Sequence, residues 1–122
     1  MSAAEKLDSD LRARVTNHLM DARAFALTLQ RAQAEAKGNM SPSATTSIMK
    51  NAGSRIGQER SELLVEIMGQ QGLGWDGEGF TKNELDTVRG WLGGKATTIY
   101  GGSAEIQNNI IAKRILGLLD HQ

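Results

Sequence analysis

The stretch of this 122-residue sequence with the most chemical potential is Tyr100-Gly101-Gly102-Ser103-Ala104-Glu105. A glycine pair feeding a helix start leaves backbone N–H groups pointing outward with no side chain over them. That arrangement takes an anion such as a phosphate. It is also how an ordinary capped helix begins, because the first N–H groups of any helix need partners. Ser103 can accept a bond from an N–H one turn in, and the spacing alone leaves both readings open. Other polar residues are weaker candidates. Asp76, Glu78, Glu84 and Asp86 lie in a loop and a helix start, where carboxylates ordinarily cap or face solvent. His18 stands alone near an apolar stripe and reads as a surface or core-edge residue. There is no cysteine, so no thiol nucleophile, thiolate metal site or disulfide exists, and no metal site is expected. The glycine-rich run 69–80 lacks phosphate-loop spacing and no Lys-Ser or Lys-Thr follows it, which excludes a nucleoside triphosphate site of that kind.

These residues need helices to hold them. Leu11, Val15, Leu19, Ala22, Ala26 and Leu29 step by three or four, with Phe25 beside them, which predicts a helix over about 10–37 capped by Ser9. Ser41-Pro42 is a start signal, since proline at the first helical position loses no hydrogen bond. The second helix is expected over about 42–68, with Ile48, Ala52, Ile56, Leu63, Leu64 and Ile67 on its buried side. Gly53 and Gly57 lie one turn apart inside it at a cost of about 1 kcal/mol each relative to alanine. Close approach of another helix or a cofactor would explain them, and so would neutral drift. Thr81 and Glu84 form a capping box for a short helix over about 82–92 carrying Leu85, Val88 and Leu92, ended by Gly93-Gly94. Residues 97–100 read as an extended approach to a last helix over about 103–117. Ile106, Ile110, Ile111 and Ile115 give that helix its face, Lys113 and Arg114 suit its dipole, and Gly117 closes it in a left-handed conformation. The two long helices should pair as an antiparallel hairpin. The expected fold is all-α, an up-and-down helical bundle of three long helices and one short one, in a single domain spanning 1–122.

Lys+Arg and Asp+Glu balance at 14 each, which argues against nucleic acid or an anionic membrane as partner. No apolar run is long enough to span a bilayer. The first six residues lack a signal-peptide core. The expectation is a cytoplasmic protein.

Residues 97–117 resemble the C-terminal signature of the acyl-CoA dehydrogenase family, Ile-Tyr-Glu-Gly-Thr followed by Ile-Gln, an Ile-rich segment and Arg. Ile99, Tyr100, Gly102, Ser103, Glu105, Ile106, Gln107, Ile110, Ile111 and Arg114 fit that pattern. The end of the second helix is also similar to the family's Gln-Ile-Leu-Gly-Gly-Asn-Gly-Phe, here 66–73. The resemblance implies FAD as cofactor and α,β-oxidation of an acyl-CoA thioester, a carboxylate taking the α-proton while a hydride passes to the flavin. By the same resemblance Tyr100, Gly102, Ser103 and Glu105 are cofactor-binding, and Glu66 and Gly69 contact the dinucleotide of a neighbouring subunit. Two departures stand out. The family's usual base, a glutamate, is Gly101 here, so no catalytic residue is assigned. The family's flavin-holding glutamine is Glu66, whose charge would repel a pyrophosphate unless a cation intervenes or the carboxyl is protonated.

The implied protein is a C-terminal domain or split subunit of an FAD-dependent acyl-CoA dehydrogenase, inactive alone. It would act in a homo-oligomer or beside a partner dehydrogenase subunit, with acyl-CoA bound only by the complete assembly. The alternative is a non-catalytic helical assembly module derived from that family.

Overall fold

The structure is a computed structural model that describes residues 8–37 and 45–119. Every regular element among them is helical: α1 (Ser9–Lys37), α2 (Thr45–Ile67), α3 (Lys82–Gly94) and α4 (Ala104–Ile110). Short 3-10 turns span Gly69–Leu73 and Lys95–Thr98, and a π-helical turn, Ile111–Ile115, continues α4. The Ser41-Pro42 start and the Gly38 stop lie outside the described residues. The chain divides into two compact units, one from residues 1–22 and 56–95, the other from 23–55 and 96–122.

In the first unit, α1 starts one residue earlier than its spacing predicts. The Asp8 carboxylate accepts the Asp10 N–H at 3.2 Å, and the Asp8 carbonyl accepts the Arg12 N–H at 2.9 Å. Asp8 therefore caps the helix in place of Ser9. A carboxylate cap adds its charge to the hydrogen bond at the positive end of the dipole. The early part of α1 runs antiparallel to the late part of α2, with Arg14 opposite Glu66 and His18 opposite Glu59. Gly69, at φ 58°, lets the chain leave α2 and fold back on it. A side chain at Gly72 would put its Cβ 2.4 Å from the Val65 carbonyl oxygen, so only glycine allows this return. The Thr81–Glu84 capping box forms as expected and starts α3. Gln58 on α2 donates to the Gly94 and Lys95 carbonyls at 3.2 Å each, tying down the far end of α3. Leu63 and Val88 are the buried apolar residues here, while Leu19, Leu64, Ile67 and Leu92, expected on buried faces, are exposed.

In the second unit, Phe25 of α1 packs on Gly53 of α2. A Cβ there would lie 3.1 Å from the phenyl ring, whereas a Cβ at Gly57 would meet no atom of another element within 4 Å among the described residues. Helix approach thus explains the first glycine and not the second. The approach to α4 is not extended. The Ile99 and Tyr100 N–H groups both donate to the Ala96 carbonyl, at 3.0 and 3.1 Å, within the tight turn that follows α3. Having no strand partner, these N–H groups are satisfied by a local turn instead. α4 itself is short. After Ile110 the ladder widens to the π form, the Leu116 N–H reaching the Ile111 carbonyl at 3.1 Å. Gly117, at φ 64°, then closes the helix with the left-handed conformation its position predicts.

Candidate functional site

The start of α4 is built by its own residues and by α2. Gly101 and Gly102 take φ 72° and 96°. Their carbonyls are both held: the Gln107 side-chain amide donates to Gly101 at 3.2 Å, and the Lys50 ammonium donates to Gly102. Gln107 is buried and so close that a Cβ on Gly102 would stand 2.7 Å from its amide nitrogen. Ser54 of α2 donates to the Thr97 carbonyl at 3.1 Å, and Asn51 donates to Asn108 at 2.8 Å, so α2 grips the turn on both sides. Ser103 caps α4 as its sequence position predicts, its hydroxyl oxygen accepting the Ile106 N–H at 3.4 Å.

Glu105 changes what this helix start can do. Its carboxylate accepts its own backbone N–H and the Ser103 hydroxyl proton, and Lys50 adds a favourable charge. Together these hold the carboxyl below the usual carboxylate range. These bonds are those of an ordinary capped helix start, one of the two readings that the spacing leaves open. An ionised carboxylate in that position is an acceptor for hydroxyl groups and repels phosphate. Tyr100, just before the turn, is exposed.

The other pair of sequence-predicted residues, Glu66 and Gly69, lies at the end of α2 in the first unit. Both Glu66 carboxylate oxygens accept from the Arg14 guanidinium, at 2.7 Å each. This two-pronged bond holds Glu66 below the usual carboxylate range and Arg14 above its own ordinary value. Asp10 stands 3.8 Å from the same guanidinium. Nearby, His18 is buried with Nδ1 3.2 Å from a Glu59 carboxylate oxygen. A cavity of about 210 Å³ is lined by Arg14, Asn17, Glu59, Glu62 and Leu63.

Arg14 and Lys50 were not singled out by their positions in the sequence, Gln107 was named only as part of the signature, and His18 is more buried than its neighbours suggest. A signal for part of this exists. Arg14 and His18 are four apart on α1, and Glu59, Glu62 and Glu66 step by three and four on α2. Two complementary charged stripes on consecutive helices point to a paired face. Three of the four carboxylates of the loop and α3 start have structural partners: Asp76 accepts the Gly77 N–H at 2.8 Å, Glu84 completes the capping box and Asp86 pairs with Lys82. Among the described residues no cluster of three or more His, Asp or Glu could hold a metal, and no helix is long and apolar enough to cross a membrane.

Residues 8–116 match the family model described as acyl-CoA dehydrogenase, C-terminal domain. The chain belongs to the acyl-CoA dehydrogenase family. It is similar to acyl-CoA dehydrogenase FadE34 of Mycobacterium tuberculosis, 32% identical over 93% of this chain and 15% of that protein. It also resembles acyl-CoA dehydrogenase IpdE1 of Mycolicibacterium smegmatis, 43% identical over half of this chain and 14% of that protein, and its M. tuberculosis counterpart at 47% over 47% of this chain. The chain thus spans about one seventh of the length of these relatives. No solved structure matches it significantly. In this acyl-CoA dehydrogenase domain, Glu105 offers an acceptor for hydroxyl groups, and Glu66 is paired with Arg14, which also stands beside Asp10.

Proposed function

We propose that this chain is the C-terminal domain or a split subunit of a cytoplasmic FAD-dependent acyl-CoA dehydrogenase that contributes cofactor contacts and an assembly surface, and that it does not oxidise acyl-CoA alone. The observation that carries this reading is the braced start of α4. Two glycine carbonyls held by Lys50 and Gln107 fix the path of Tyr100, Gly102, Ser103 and Glu105, the residues that resemble the family's signature. Holding a loop this firmly is what a contact surface for a bound group requires. In this reading Ser103 and Glu105 meet hydroxyl groups of the dinucleotide, Tyr100 borders the flavin and acyl cavity, and Glu66 and Gly69 meet the dinucleotide of a neighbouring subunit. The cofactor, when bound, supplies the hydride acceptor. Gly101 offers no group that could take the α-proton, so the base comes from another part of the assembly.

The test is a titration of the purified chain with FAD followed by flavin fluorescence, together with an assay for acyl-CoA oxidation. Saturable binding without turnover is expected. Turnover by the chain alone overturns the assignment of no base. A stable helical oligomer that binds no flavin favours the second reading, a non-catalytic assembly module. The exposed apolar side chains at Ile99, Tyr100 and Ile106 favour that one independently.

A further inference from the structure

The Gly101-Gly102 turn joins two left-handed residues, at φ 72° and 96°, and a glycine backbone has many other conformations open to it. Each of the two carbonyls is nevertheless held. A peptide unit is planar, so fixing its carbonyl also fixes the direction of the N–H across the bond. Gln107 holds the Gly101 carbonyl at 3.2 Å, and with it the Gly102 N–H. Lys50 holds the Gly102 carbonyl, and with it the Ser103 N–H. The two holds differ in origin. Gln107 belongs to α4 and moves with it, whereas Lys50 comes from α2. Its neighbours on α2, Ser54 and Asn51, bond Thr97 before the turn and Asn108 beyond it. Lys50 is the member of this set whose bond lands on the glycine pair, and it is the charged member. A charge-assisted hydrogen bond is roughly twice as strong as a neutral one, and the same ammonium lends a favourable charge to Glu105. Ordering a long lysine side chain onto one carbonyl costs rotamer entropy. Plain docking of α2 on α4 does not need it, because Asn51 already bonds α4 directly.

We propose that Lys50 is a positioning residue for cofactor binding: it acts through the Gly102 carbonyl to hold Tyr100, Ser103 and Glu105 in the orientation that receives the dinucleotide. The inference rests on the reading that the start of α4 meets FAD. The competing account is that Lys50 docks one helix on another and nothing more, as Asn51 does. Loss of docking lowers stability wherever the bond lies. Loss of positioning lowers affinity where the bond reaches the turn.

The experiment titrates the full chain with FAD alongside Lys50→Met, Lys50→Arg and Asn51→Ala. Circular dichroism checks the helices and urea unfolding the stability of each. Lys50→Met keeps the apolar stem and removes the donor and the charge. It is expected to weaken FAD binding by about tenfold, the scale of one charge-assisted hydrogen bond. Lys50→Arg keeps charge and donors and should recover most of that loss. Asn51→Ala should lower the urea midpoint and leave FAD affinity level. In the flavin-free chain, the backbone amide resonances of Gly102 and Ser103 should shift in Lys50→Met and stay in place in Asn51→Ala. Lys50→Gln takes the place of Lys50→Met should the latter lose its helices. FAD affinity unchanged in Lys50→Met, an Lys50→Arg chain as weak as Lys50→Met, or equal weakening by Asn51→Ala overturns the proposal and leaves Lys50 a helix-docking residue. A parent chain that binds no FAD overturns the reading beneath it, and the proposal falls with it.

Discussion

At the residue scale, the Arg14–Glu66 pair links the electrostatics of this chain to its acid stability. Glu66, Glu105 and Asp86 all ionise more readily in the folded protein than the ordinary carboxylate does: Glu66 through Arg14, Glu105 through its own N–H and Ser103, Asp86 through Lys82. A folded-state value below the unfolded one means the unfolded chain binds more protons at intermediate pH. Stability from these groups is therefore full above the unfolded values of 4.5 for Glu66 and Glu105 and 3.8 for Asp86, and is lost as pH falls through the lower folded values. Unfolding midpoints in urea should fall steadily below about pH 4.5. Glu66→Gln should flatten that acid limb, with proton uptake on unfolding smaller by up to about one. An acid limb as steep in the variant as in the parent would show that Glu66 carries no share of it. Above pH 6 the two should differ little in slope, because the carboxylates are ionised in both states.

At the scale of elements, what was legible in the sequence was local. Ser103 as cap, the Thr81–Glu84 box and Gly117 in the left-handed region each depend on residues within one turn, and each stands where the spacing puts it. What escaped needed the pairing register of two helices. Lys50 reaches Gly102 and Arg14 reaches Glu66 across 52 positions of sequence, and no periodicity on one helix reveals its neighbour's register. The misread approach to α4 has a similar cause: β-branched Thr97, Thr98 and Ile99 suggest extension, yet the N–H groups of Ile99 and Tyr100 find a carbonyl only in a tight turn. The glycines give graded tests of this local geometry. Gly101→Ala meets only the left-handed backbone and should cost about 1 kcal/mol. Gly102→Ala adds displacement of the Gln107 amide and should cost about 2 kcal/mol. Gly72→Ala drives a Cβ against the Val65 backbone carbonyl, which cannot swing aside, and should cost about 3 kcal/mol. Urea unfolding of the three variants checks the order, and a Gly72→Ala chain as stable as Gly101→Ala would remove the fold-back of the loop onto α2 from the account.

For the whole molecule, the decisive quantity is apolar surface left in water. Leu63 and Val88 are the large apolar side chains that reach 5% exposure among the described residues, and none of the described side chains is fully enclosed. In the first unit Leu73 is 84% exposed and Met20 66%; in the second, Ile99 is 71% exposed and Leu119 90%. Single exposed apolar residues are ordinary on any protein, but both units show several, including residues from faces whose helical spacing predicts burial. Covering one such side chain is worth about 1.5–3 kcal/mol, so a handful contributed by each of two copies outweighs the cost of association. The chain should therefore form an oligomer at micromolar concentration. Light scattering should give a mass of at least twice 13.2 kDa. Placing charge on two of these exposed side chains, as in Ile99→Asp combined with Leu119→Asp, should shift the equilibrium toward monomer without loss of helix, because both are mostly exposed within the chain. A parent that stays monomeric through the micromolar range would mean that its apolar faces await a different subunit, and the same measurement on an equimolar mixture with a candidate dehydrogenase subunit then identifies it by the mass of the complex.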